Sequence, residues 1–144
     1  MKLLISEVLQ KVSNAKTKAQ KIKLLREHNT NALRSILIVN YDETVVSMLP
    51  PGEVPYEAND APAGTEHTVL EHEYRKLYLF FKGGSSSLKQ SKRESLFIQM
   101  LEGLQETEAQ VLVLAKDKNL QKKYKITKAV VTEAFPQIQW GGRS

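Results

Sequence analysis

The 144-residue chain contains no cysteine. Disulfides, thiolate nucleophiles and cysteine-based zinc sites are therefore excluded, and a reducing, cytoplasmic setting is the one expected. It has no apolar stretch near the roughly 18 residues that a membrane span needs. Leu3-Leu4-Ile5 follows a single lysine, but the run stops at Ser6-Glu7, too short for the core of a secretion signal. Histidine is scarce: His28, His67 and His72. His67 and His72 stand five residues apart, off a common helix face, and read as a solvated helix start rather than a metal site. No phosphate-binding GxxxxGK[ST] loop, GxSxG elbow or HExxH pair occurs, and no two carboxylates stand at a recognisable catalytic spacing. The expectation is a non-enzymatic protein without cofactor or metal.

What is present is charge, unevenly placed. The chain is +5 overall. Residues 1–40 hold eight Lys/Arg against two acids, residues 41–77 two against eight, and residues 78–144 eleven against six. Such segregation implies a basic face rather than a generally cationic surface.

Apolar spacing implies helices. Ile5, Val8, Leu9 and Val12 form one stripe; Leu33, Ile36 and Leu37 another; Phe97, Met100, Leu101 and Leu104 a third. Leu70, Tyr74, Leu77, Tyr78 and Phe81 form a longer stripe, stopped by Gly83-Gly84. Four pairs have capping-box spacing: Thr17/Gln20, Thr68/Glu71, Ser91/Glu94 and Thr107/Gln110. The last of these favours a helix for the apolar run Ala109–Ala115, which a buried strand would also match. A closing helix carries Ile126, Val130, Val131 and Ala134, capped by Thr127 and ended at Phe135-Pro136. The expected fold is all-α: a single compact domain of about seven helices over residues 1–138, with Leu101 and Leu112 in its core. Residues 41–64, with four of the five prolines, read as a long acidic loop, and 139–144 as a flexible tail.

Lysines cluster twice. Lys116, Lys118, Lys122, Lys123, Lys125 and Lys128 stand against Asp117 alone, with Tyr124 interleaved. Lys16, Lys18, Lys21 and Lys23 surround the start of the second helix, where they oppose its dipole unless an anion is bound. Phosphate binding asks for such side chains, and the helix start at Thr127 would add N–H donors. A solvated lysine surface also accounts for the same residues.

Several segments resemble the N-terminal, all-helical DNA-binding domain of ATP-dependent DNA ligases, in the short form found in T-even-type phages. These are the opening Met1-Lys2-Leu3-Leu4-Ile5 and the turn Leu25-Arg26-Glu27-His28-Asn29-Thr30-Asn31-Ala32-Leu33. The pair Thr68–Phe81 and Glu94–Leu104, and the ending Val130-Val131-Thr132-Glu133-Ala134-Phe135-Pro136-Gln137-Ile138, complete the set. The resemblance implies binding to the backbone of duplex or nicked DNA by a phage accessory protein. It does not imply ligation, because the KxDG nucleophile motif is missing. Lys122-Lys123-Tyr124-Lys125-Ile126 also lacks the glycine usual before that family's last helix, so lysine side chains would replace close backbone contact. The expected DNA-binding set is Lys116, Lys118, Lys122, Lys123, Lys125, Thr127 and Lys128 with Lys16, Lys18 and Lys21. The alternative is a protein–protein adaptor in replication, transcription or packaging, using the acidic loop and the Trp140 tail on another phage or host protein.

Overall fold

Apolar residues at helical spacing account for the main elements of the computed structural model, which describes residues 3–57 and 68–142. The helices are α1 (Ile5–Asn14), α2 (Lys18–Glu27), α3 (Asn31–Tyr41), α4 (Leu70–Glu73), α5 (Gln90–Gly103), α6 (Glu106–Lys116) and α7 (Lys128–Ala134). Two 3-10 segments, Tyr74–Phe80 and Leu120–Lys122, complete the set, and extended pairing among the described residues is limited to two isolated bridges. The chain is thus all-α and forms one compact domain. Residues 58–67, which include His67 and the end of the acidic loop, lie outside the described residues, as do Met1, Lys2, Arg143 and Ser144.

Helix α6 is the centre: it packs against α1, α3 and α5, while α7 lies on α2 at one side. Its Ala109, Val111, Leu112 and Ala115 are buried, so the run Val111–Leu114 is helix and not strand. Leu101 on α5 and Leu112 on α6 are both core residues, with 0% and 3% of their surface exposed. Phe80 meets Phe97 edge to face, ring centres 5.1 Å apart.

The helix starts differ from the expected caps. Thr17 does cap α2, accepting from the Gln20 N–H, and Thr127 caps α7. The caps of α5 and α6 are instead Lys89 and Gln105, two residues ahead of Ser91 and Thr107. Thr68 is not a cap either; its N–H donates to the Gly103 carbonyl (2.8 Å), and Val69 precedes α4. At α4 the reason is tertiary. The buried Glu108 carboxylate on α6 accepts from the N–H of Ile5 (2.9 Å) and of Leu70 (3.1 Å), so one side chain caps both α1 and α4.

The expected stripe from Leu70 to Phe81 also changes phase. After one α turn the chain tightens to 3-10 winding, whose three residues per turn align Tyr74, Leu77 and Phe80. Leu77 and Phe80 are buried, whereas Tyr78 is turned out, 56% exposed.

The described part of the acidic loop is strapped to the body. Val45 and Leu49 are buried, and Gln90 Nε2 donates to the Met48 carbonyl. The Glu57 N–H donates to a Glu102 carboxylate oxygen.

Candidate nucleic-acid interface

Helix α2 begins as its sequence requires. The Thr17 hydroxyl accepts from the Gln20 N–H (3.2 Å), and Gln20 Oε1 accepts from the Lys16 N–H (3.1 Å). No acid stands in the first turn, so Lys16, Lys18, Lys21 and Lys23 crowd the positive end of the helix dipole. Lys16, Lys18 and Lys23 are exposed and Lys21 is half-buried.

The second basic segment is fixed beside this helix. Lys21 Nζ donates to the Lys125 carbonyl, and the Lys125 N–H donates to Ser13 Oγ (2.8 Å). The Tyr41 hydroxyl donates to the Ile126 carbonyl (2.6 Å), and burial pushes its pKa up to about 12. Helix α7 follows, tied to α2 by Arg26, which donates to the Glu133 and Ala134 carbonyls at the helix end. Lys18 pairs with the Glu133 carboxylate at 2.7 Å, both more than half exposed. Residues about 110 positions apart in sequence thus form one surface: Lys16, Lys18 and Lys21 from α2 with Lys125, Thr127 and Lys128 from the α7 entry. Thr127 Oγ1 accepts the Val130 N–H (3.3 Å), so that donor is already used within the helix. The Lys128 ammonium sits 5.0 Å from the centre of the Trp140 ring, and the Gly141 N–H donates to Asp42 Oδ2 (2.9 Å). The described part of the tail therefore lies against the body.

Four lysines of the expected set go elsewhere. Lys116 is buried, and its ammonium donates to the carbonyls of Pro50 (3.0 Å) and Gly52 (2.9 Å) while pairing with Asp117 (2.9 Å). Lys118 donates to the carbonyls of Val39 (2.8 Å) and Asp42 (2.6 Å) at the end of α3. Desolvation lowers its pKa, against the opposing influence of Asp42 and Glu43. Lys122 and Lys123 are exposed but line a different groove, of about 620 Å³, with Glu53, Tyr56 and Glu106. Lys123 donates to Gln110 Oε1 (2.6 Å). Tyr124 is core, 2% exposed, and offers no stacking surface.

Ser13, Arg26 and Tyr41 hold the two basic segments together, and sequence reasoning did not single them out. Their partners are backbone groups more than 80 residues away, to which Arg26 and Tyr41 donate and from which Ser13 accepts. No local pattern encodes such a contact.

Fold and site together define an all-helical protein with a lysine-rich face built from α2 and α7. Residues 8–122 match the family of unknown function DUF6433, and the chain belongs to that family. No curated protein and no solved structure matches it. Among the described residues no cluster of three or more potential metal ligands is found, and no helix is long and apolar enough to cross a membrane.

Proposed function

We propose that this chain is a non-enzymatic DNA-binding protein, a phage accessory factor that grips the sugar–phosphate backbone of duplex or nicked DNA with its α2–α7 face. The observation that carries this reading is the junction of two basic segments through Lys21 and the Lys125 carbonyl. Lysine ammoniums are point charges without the planar fork that reads base edges, which suits backbone contact with little sequence preference. The ligase-domain resemblance supports the same reading and extends it to a ligase-like subclass of helical fold. The adaptor alternative through the acidic loop and tail draws less support, since Lys116 and Asp117 hold residues 50–52 and Lys128 covers Trp140.

The test is an electrophoretic shift of the intact protein on duplex, nicked and single-stranded DNA across a salt series. About four phosphate contacts give a slope of log K against log salt near −4, from ~0.9 per contact. Glu133→Gln frees Lys18 from its ion pair and should tighten binding. No binding at low salt would overturn the reading.

A further inference from the structure

The 3-10 winding of Tyr74–Phe80 has a second effect at the far side of its turn. It leaves a groove of about 460 Å³ between this segment and α3, lined by Ile38, Val45, Leu77, Tyr78 and Phe81. The large hydrophobic side chains that are exposed among the described residues are Val46, Met48 and Tyr78. All three belong to this region. Tyr78 lines the groove, and the backbones of Val46 and Met48 are bonded to Lys82 and Phe80 at its edge (2.8 and 2.9 Å). At its end the chain turns back so tightly that a Cβ on Gly84 would stand 1.9 Å from the Tyr78 carbonyl oxygen.

The charged residues lining this groove are Arg75 and Lys82, both exposed. Neighbouring carboxylates are engaged elsewhere: Glu71 accepts from the Thr30 hydroxyl (3.0 Å), and Glu73 pairs with Lys76 (3.1 Å). An apolar trough lined by two exposed cations complements apolar side chains bordered by carboxylates. We infer that the α3/3-10 groove docks a short acidic amphipathic segment of a partner protein, with its apolar side chains over Tyr78 and Phe81 and its carboxylates on Arg75 and Lys82. This surface shares no residue with the lysine face, so it goes beyond the DNA-binding reading and stands if that reading fails.

The test is selection of random displayed peptides on the immobilised full-length chain, followed by fluorescence anisotropy of the enriched peptides in solution. The expected result is enrichment of Leu, Phe or Trp bordered by Asp or Glu. Binding should weaken ~tenfold or more in Arg75→Glu/Lys82→Glu and in Tyr78→Ser. Helical circular dichroism, and any DNA affinity the wild type has, should be unchanged in both variants. Lys125→Gln/Lys128→Gln should bind the peptides like the wild type. Enriched peptides without carboxylates would overturn the inference. So would peptides whose binding depends on Lys125 and Lys128, or no enrichment at all. A self-associated chain in sedimentation that Tyr78→Ser renders monomeric would also overturn it, by making the occupant a second copy.

Discussion

Lys116 and Lys118 stand within a dozen residues of Lys125 and Lys128 and carry the same charge, yet they serve opposite ends. The first pair points inward, onto the carbonyls of Pro50, Gly52, Val39 and Asp42. The second pair points outward beside α2. The difference follows from where each lysine meets a helix. Lys116 ends α6, and Lys118 follows it in a left-handed turn (φ 60°) that closes the helix. There the Lys118 N–H donates to the Ala115 carbonyl (3.0 Å) and the Asn119 N–H to the Leu114 carbonyl (2.8 Å), the paired bonds of a Schellman ending. Cations at such an end meet the negative pole of the dipole and nearby spare carbonyls. Lys125 and Lys128 flank the start of α7, where the dipole offers a lysine nothing. In this run the lysines at the end of α6 are structural, and those at the start of α7 are exposed.

The division extends to the acids, and there the largest effect is expected. Glu108 points inward and caps two helices, whereas Glu133 lies on the surface. Glu108→Ala orphans two buried N–H groups and should cost about 3–5 kcal/mol in denaturant unfolding. Burial raises the Glu108 pKa above its ordinary 4.5, although the Leu70 and Ile5 N–H groups favour the charged form; nearby Glu71 and Glu7 add to the rise. The folded chain thus holds this proton more readily than the unfolded chain. Stability from this group is fullest below the unfolded value near 4.5 and declines as pH rises through the raised folded value. Glu108→Gln should remove that decline. An unchanged pH profile would show that Glu108 is not the titrating group.

Next in size is Lys116→Met. It fills much of the same space but leaves the Pro50 and Gly52 carbonyls without this donor and Asp117 with only the Gly52 N–H, a loss of about 2–4 kcal/mol. Proteolysis within residues 50–57 should accelerate alongside. A variant as stable as the wild type would erase the contrast between inward and outward lysines.

Much of the fold was legible because it depends on local periodicity. The α1, α3 and α5 stripes, the Thr17 and Thr127 caps and the Phe135-Pro136 stop can each be read within a dozen residues. The starts of α4, α5 and α6 were misplaced because Ser or Thr followed by Glu or Gln is a short pattern. At Thr107 the hydroxyl is engaged with Ser6 Oγ (2.8 Å) and with the Gln105 carboxamide, which supplies the cap. The 3-10 winding was invisible, since Leu70, Tyr74, Leu77 and Tyr78 fit an α period as well. The candidate site was half legible: charge counts located both basic segments but could not say which lysines are consumed by carbonyls 60 to 80 residues away.

Lys118 sharpens the comparison at smaller scale, because it combines a contact with a strained backbone. Lys118→Ala loses the ammonium but keeps a Cβ in the left-handed region. Lys118→Gly loses the same contact and relaxes the strain. The alanine variant should be the less stable of the two by about 1 kcal/mol in thermal or denaturant unfolding. Equal stability would mean that the turn does not persist without the ammonium.

The smallest effect on folding, and the finest cut through the comparison, lies among the outward lysines themselves. Lys125 and Lys128 stand on the α2–α7 face, whereas Lys122 and Lys123 line the groove shared with Glu53 and Glu106. Two paired variants separate them: Lys125→Gln/Lys128→Gln and Lys122→Gln/Lys123→Gln. Both should melt like the wild type, since exposed lysines contribute little to stability. If the α2–α7 face holds the phosphates, the first pair should flatten the slope of log K against log salt by about two units, roughly one per lost contact. It should also weaken binding to any sequence alike. The second pair should leave the slope nearly unchanged, because it lines a separate groove that also holds Glu53 and Glu106. Equal flattening by both would extend the DNA path across the Leu120–Lys122 turn. A larger effect from Lys122 and Lys123 would move the site off α2 altogether.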